Sequence, residues 1–165
     1  EARGLDYLIL GNHFDGTDDL NIPGGGFYYG ISTTPQELRS YAKMTVRGME
    51  TGDFLYLAHP DVVLSQYRGF DGHVRDMSRE LCRASKALHV PLEYNLLGRM
   101  DRNSGRFRGL GYPCDRFWEI AAEEGVECII GVDAHRPEHL LRTDVYDEAV
   151  RYLDGLGLKR LEQIV

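Results

Sequence analysis

The sequence predicts an α/β fold of mostly parallel strands. Two observations carry this. Short apolar runs alternate with amphipathic helical patterns along the whole chain, and that order implies right-handed crossovers. The strand-like runs are close to continuously apolar, as strands covered by helices are. No internal repeat or low-complexity linker divides the chain, so residues 1–165 read as one domain.

Leu5–Leu10 (LDYLIL) reads as a buried strand. A loop with three consecutive glycines follows between Gly16 and Gly30. It does not match a nucleotide-binding GxGxxG pattern and does not directly follow a strand. Thr34-Pro35-Gln36-Glu37 has capping-box spacing, with Pro35 where a missing N–H costs nothing. A helix should run from there to about Glu50, with Gly52 at its end. Asp53–Ala58 is the second strand. A second helix near Val74–Leu88 carries Met77, Leu81, Ala84 and Leu88 at core spacing. Val90–Asn95 is the third strand, with Pro91 at its start. Arg99–Tyr112 reads as a basic, glycine-containing loop. Asp115 can cap a helix bearing Phe117, Trp118, Ile120 and Ala121. Val126–Val132 is a fourth strand. Pro137-Glu138 resembles a helix start. A last helix places Tyr146, Ala149, Val150 and Leu153 on one face and ends at Gly155 and Gly157. Leu161–Val165 reads as a final strand.

Composition sets the limits. Of 165 residues, 19 are Lys or Arg and 26 are Asp or Glu, for a formal net charge of −7. The 42% hydrophobic share suits a folded domain rather than a disordered chain. The acidic balance argues against non-specific binding of duplex nucleic acid over the whole surface. The apolar runs are too short to cross a bilayer, and no signal segment is evident, which predicts a cytoplasmic protein. Cys82, Cys114 and Cys128 are an odd number without CxxC spacing, which fits reduced thiols. The length falls short of the roughly 250 residues typical of an eight-unit barrel.

In parallel α/β folds, ligands bind beyond the carboxyl ends of the strands. Gly11-Asn12-His13 follows the first strand and His59-Pro60-Asp61 the second. Glu93 and Asn95 lie on the third, and Asp133-Ala134-His135 follows the fourth. Imidazoles and carboxylates in one place suit zinc, iron or manganese. A lone loop histidine is usually solvated or structural, so the case rests on the shared position of His13, His59 and His135. His73, His89 and His139 fall in or near helical patterns and read as structural or surface residues. Asp133 could equally cap a helix, and Glu93 could be a buried partner of another group. Arg99, Arg102, Arg106 and Arg108 form either a solvated loop or a contact for an anionic substrate.

Several segments together resemble the polymerase and histidinol phosphatase (PHP) superfamily, with order and spacing closest to its histidinol-phosphatase branch. They are Leu8–His13 with Phe14, Ala58-His59-Pro60-Asp61, Leu92–Gly98, Tyr112-Pro113 and Gly131–Glu138 (GVDAHRPE). The resemblance implies the C-terminal part of a distorted (β/α)7 barrel. It implies a cluster of up to three divalent ions (zinc, manganese or iron) and hydrolysis of phosphoesters by metal-activated hydroxide. Carried over by motif, His13, His59, Asp133 and His135 are the expected metal ligands. A phosphate-contacting arginine is expected after Gly98. Its usual place is Met100, so Arg99 is the nearest candidate, with Arg102 or Arg106 as substitutes. The family's opening H-x-H strand, a further His and a ligating Glu have no counterpart before His13. The expectation is therefore a domain incomplete at its N-terminus, or a degenerate member.

The intact protein is accordingly expected to remove phosphate from histidinol phosphate in histidine biosynthesis, this chain alone being inactive or weakly metal-binding. Alternatives are another phosphomonoesterase or a nuclease of the same superfamily, or a non-catalytic metal-binding or interaction module. The expected partner is a small phosphorylated substrate, with no membrane, and the acidic balance disfavours nucleic acid. An opened barrel edge would favour self-association.

Overall fold

The computed structural model describes residues 4, 6–13, 33–102 and 104–164. The glycine-rich loop expected between Gly16 and Gly30, and Phe14 of the first motif, lie outside the described residues.

Five strands form one sheet: β1 (Leu8–Leu10), β2 (Phe54–Leu57), β3 (Leu92–Asn95), β4 (Glu127–Gly131) and β5 (Lys159–Arg160). They are hydrogen-bonded in chain order, and every pair is parallel. The α/β class with parallel strands is as the sequence predicts. Doubly wound sheets reverse their strand order part-way. Unbroken order with right-handed crossovers instead puts every helix on one face, as in a barrel wall.

The helices are α1 (Pro35–Glu50), α2 (Gly72–Leu88), α3 (Leu96–Asp101), α4 (Asp115–Glu124) and α5 (Thr143–Gly155). The capping box of α1 is present. The Thr34 hydroxyl accepts from the Glu37 N–H at 3.3 Å, and the Glu37 carboxylate accepts from the Thr34 N–H at 2.7 Å. Thr34→Ala is expected to cost about 1 kcal/mol, read as a lower urea midpoint. An unchanged midpoint would show that the cap contributes nothing to global stability.

α2 buries Met77 and Leu81 as expected, but Leu88 is exposed and Ala84 only half-buried. The helix lies between α1 and α4. It therefore buries two sides, adding Val74, Ser78, Cys82 and Ser85 to the core. The start of the expected basic loop is helical instead, because Asn95 Oδ1 accepts from the Gly98 N–H at 2.9 Å and caps α3. Cys114, not Asp115, is the N-cap of α4. Asp115 sits in the first turn, where a negative charge favours the helix dipole, and Arg102 holds it in a two-pronged pair at 2.8 Å. On α5 the buried stripe is Val145, Ala149 and Leu153, while Tyr146 faces outward. A 3₁₀ turn at Pro137–Leu141 matches the expected helix start. The last strand lies just before the expected Leu161–Val165 run.

Strand alternation sorts the side chains by face. Leu92 and Tyr94 are in register with Cys128 and Ile130. Tyr94 packs on Trp118 of α4 and Tyr152 of α5, with ring centroids 5.1 and 5.8 Å apart. This face therefore meets the helices and carries the apolar core. Glu93 and Asn95 point to the opposite face, yet both are buried. β1 departs from the expected burial: Leu8 and Ile9 are about two-fifths exposed (42% and 41%), because the strand lies at the edge of the sheet. Among the described residues, no helix is long and apolar enough to cross a membrane.

Candidate functional site

Parallel pairing aligns the carboxyl ends of β1 to β4 along one rim, and the sequence places its polar residues there. His13 follows β1 and His59 follows β2. Their Nε2 atoms are 3.2 Å apart and their rings 4.9 Å apart. In neutral rings this is one hydrogen bond, with the donor set by the tautomer. The spacing also suits two ligands of one ion, since two Zn–N bonds of about 2.0–2.1 Å at the tetrahedral angle separate the nitrogens by about 3.3 Å.

Burial favours the neutral form of both rings. Burial pushes the His59 pKa down to about 4, helped by His13 and opposed by Asp133. Burial also lowers His13, again against the pull of Asp133. Neutral imidazole is the ligating form. His59 is only 4% exposed, and its buried Nδ1 has no hydrogen-bond partner among the described residues.

Behind this pair lies a carboxylate–amide relay. Glu93 Oε2 accepts from the His59 N–H at 3.0 Å and from Asn95 Nδ2 at 2.9 Å. The same Asn95 amide lies 3.3 Å from Asp133 Oδ2. Burial raises the Glu93 pKa, and the two donated hydrogen bonds oppose the shift. Gly131 makes room for this carboxylate. A Cβ there would stand 2.5 Å from Glu93 Cδ and 2.8 Å from Cγ. Glu93 is thus a buried partner of a backbone group, one of the readings open at the sequence level.

Asp133 has a positive φ of 48° and His59 one of 34°. Such backbone is uncommon outside glycine and persists where the surroundings over-determine it. His135 turns back on its own segment. Its Nδ1 lies 2.8 Å from the Asp133 carbonyl, its N–H donates to His139 Nδ1 at 3.2 Å, and its side chain is 67% exposed. The structure therefore brings together His13 and His59, with Asp133 tied to them through Asn95 and Glu93, and leaves His135 on the outer rim. Among the described residues, no three His, Cys, Asp or Glu side chains are grouped to hold one ion. The His13–His59 pair fits a divalent cation as two ligands, and these residues do not complete the set.

Arg99 faces Glu148 of α5 at 3.6 Å. The two line a cavity of ≈ 340 Å³ with Met100, Arg102, Arg142 and Val145. Arg102 is committed to Asp115, and Arg106 to Asp101 at 2.5 Å. The Arg99 pair is the longest of these three.

Asp61 had no assigned role in the sequence, although it closes the His59-Pro60-Asp61 motif. It is buried (1% exposed), and its Oδ2 accepts from the Cys114 N–H at 2.6 Å. Burial raises its pKa to about 7, against the Cys114 N–H and the nearby Trp118 and Arg102. An acidic residue two positions after a strand-end histidine was the available signal.

The fold defined by this sheet is an α/β wall of parallel strands wound in one direction, with its polar residues at the carboxyl rim. One similar solved structure is a histidinol phosphate phosphatase from Lactococcus lactis subsp. lactis, crystallised with zinc, L-histidinol and phosphate. The TM-score is 0.64 at 18% identity, covering 96% of this chain and 59% of that one. The likeness is one of fold, and this chain spans about three-fifths of that protein's length. No protein-family model and no curated protein matches the sequence.

Proposed function

We propose that this chain carries part of the metal centre of a divalent-metal-dependent phosphoesterase, with a small phosphomonoester such as histidinol phosphate as substrate. The observation that carries the reading is the His13–His59 pair, two neutral imidazoles 3.2 Å apart at neighbouring strand ends. The similar fold of a histidinol phosphate phosphatase supports it.

In this reading His13 and His59 would hold the ion, with Asp133 and His135 as its further candidate ligands. A bound divalent ion supplies a charge that neutralises phosphate oxygens and lowers the pKa of water. Glu93 holds the His59 backbone. Arg99, whose pair with Glu148 is long at 3.6 Å, would take a phosphate oxygen.

A second reading, a metal-binding module without turnover, is favoured by the absence of a three-ligand group among the described residues. Two measurements on chelator-treated protein separate the readings. Calorimetry with zinc and with manganese is expected to show saturable binding that His13→Ala and His59→Ala each weaken at least tenfold. Phosphate release from L-histidinol phosphate and from a generic aryl phosphate is then measured with each metal. Binding with release supports the enzyme. Binding without release, by this chain and by any longer protein containing it, supports the module. Absence of binding overturns both.

A further inference from the structure

Ligating histidines are usually oriented by a hydrogen bond to the ring nitrogen that does not face the ion. Among the described residues His59 lacks this, because its buried Nδ1 has no partner there. Its ring must therefore be placed through the backbone, and that backbone lies in the left-handed region at φ 34°. Three hydrogen bonds fix the segment from within and from neighbouring elements. The His59 N–H donates to Glu93, the Val62 N–H donates to the His59 carbonyl at 3.1 Å, and the Tyr41 hydroxyl donates to the Pro60 carbonyl at 3.1 Å.

The fourth restraint is of longer range. Asp61 reaches across 53 residues to accept the Cys114 N–H. With the Gly111 N–H, which donates to the Leu64 carbonyl at 3.2 Å, that bond holds the segment carrying Tyr112, whose ring stands edge-on to His59 with centroids 6.2 Å apart. Tyr112 is itself wedged against Gly98, where a Cβ would lie 2.7 Å from the Tyr112 carbonyl oxygen. His59 thus has an aromatic wall on one side and His13 on the other, and Asp61 joins the two loops that form this slot.

We propose that Asp61 is a positioning residue that sets the His59 ring by clamping its loop to the Tyr112–Cys114 segment. The metal part of this inference rests on the proposed metal centre; the clamp itself does not. Asp61 binds the Cys114 N–H and not the His59 ring nitrogens, so its effect should be indirect and depend on its acceptor oxygen rather than its charge.

The test compares Asp61→Ala, Asp61→Asn and Leu153→Ala. The last is a core truncation at the end of α5 that leads into β5, away from the carboxyl rim. Zinc affinity is measured by calorimetry. The ring-to-ring nuclear Overhauser contact between His59 and Tyr112 is measured in metal-free protein. Asp61→Ala is expected to lose the ring contact and weaken zinc binding 10- to 100-fold. Asp61→Asn keeps an acceptor for the Cys114 N–H and should retain the contact, with affinity within about threefold of the parent. Leu153→Ala should lower stability and leave both readouts in place. A retained ring contact in Asp61→Ala overturns the clamp, and so does its loss in Leu153→Ala. If the parent protein binds no zinc, the metal centre falls, and the ring contact still decides the role of Asp61. Should Asp61→Ala not fold, loss of the contact in folded Asp61→Asn would overturn the proposal, and its retention would support it.

Discussion

Gly131→Ala is expected to destabilise the protein by about 1–3 kcal/mol, a large share of a typical domain's total. The added methyl would overlap the Glu93 carboxylate and stand 2.8 Å from its Cγ. A flexible carboxylate on a surface would swing aside at little cost. Glu93 cannot, because it is 3% exposed and accepts hydrogen bonds from the His59 N–H and the Asn95 amide. Moving it leaves buried donors unpaired, at about 1–3 kcal/mol each. Leaving it forces the strands apart, and overpacking of this kind costs about 1–3 kcal/mol. Urea denaturation of Gly131→Ala, Glu93→Ala and the double variant isolates the clash. The double variant should be more stable than the summed single losses imply, because the methyl then fills space the carboxylate vacated. A single variant within about 0.5 kcal/mol of the parent would show that β3 and β4 do not meet as described.

The same contact shows where sequence reading stops. Gly131 stands out in the sequence only as part of a motif. Its reason is a carboxylate 38 residues earlier, brought alongside by strand register. Local signals fared better. The Thr34–Glu37 box is a four-residue pattern and forms as read. The four strand ends were legible because apolar runs stop abruptly at polar residues, and parallel pairing aligns those ends. α3 was not legible, since its cap depends on an Asn95 side chain that could equally have faced a ligand. The outward turn of His135 was hidden as well, because it depends on the Asp133 carbonyl and on His139, not on strand position. Asp61 illustrates the same limit. Its partner, Cys114, is adjacent only in the folded chain.

His59 and Asp61 are expected to give opposite pH dependences that nearly cancel in the parent protein. Folding lowers the His59 pKa from 6.5 to about 4. Its contribution is therefore fully present above pH 6.5 and is lost as pH falls through 4. The full loss is about 3 kcal/mol. Folding raises the Asp61 pKa from 3.8 to about 7. Its contribution is fully present below pH 3.8 and is lost as pH rises through 7, in total about 4 kcal/mol. Acidification from pH 6.5 to 4.5 thus weakens the fold through His59 and strengthens it through Asp61. Metal-free parent protein should show a stability change of no more than about 1 kcal/mol over this window from the pair. Asp61→Asn removes the opposing member, so its stability should fall by about 2–3 kcal/mol on the same acidification. His59→Gln should do the reverse and gain stability as pH falls. Chelator is needed throughout, because an ion on His59 would add its own proton linkage. Parallel pH profiles for all three proteins would mean that these neighbours do not titrate as a buried, opposed pair. The slot that Asp61 and Tyr112 build around His59 would then be wet rather than closed.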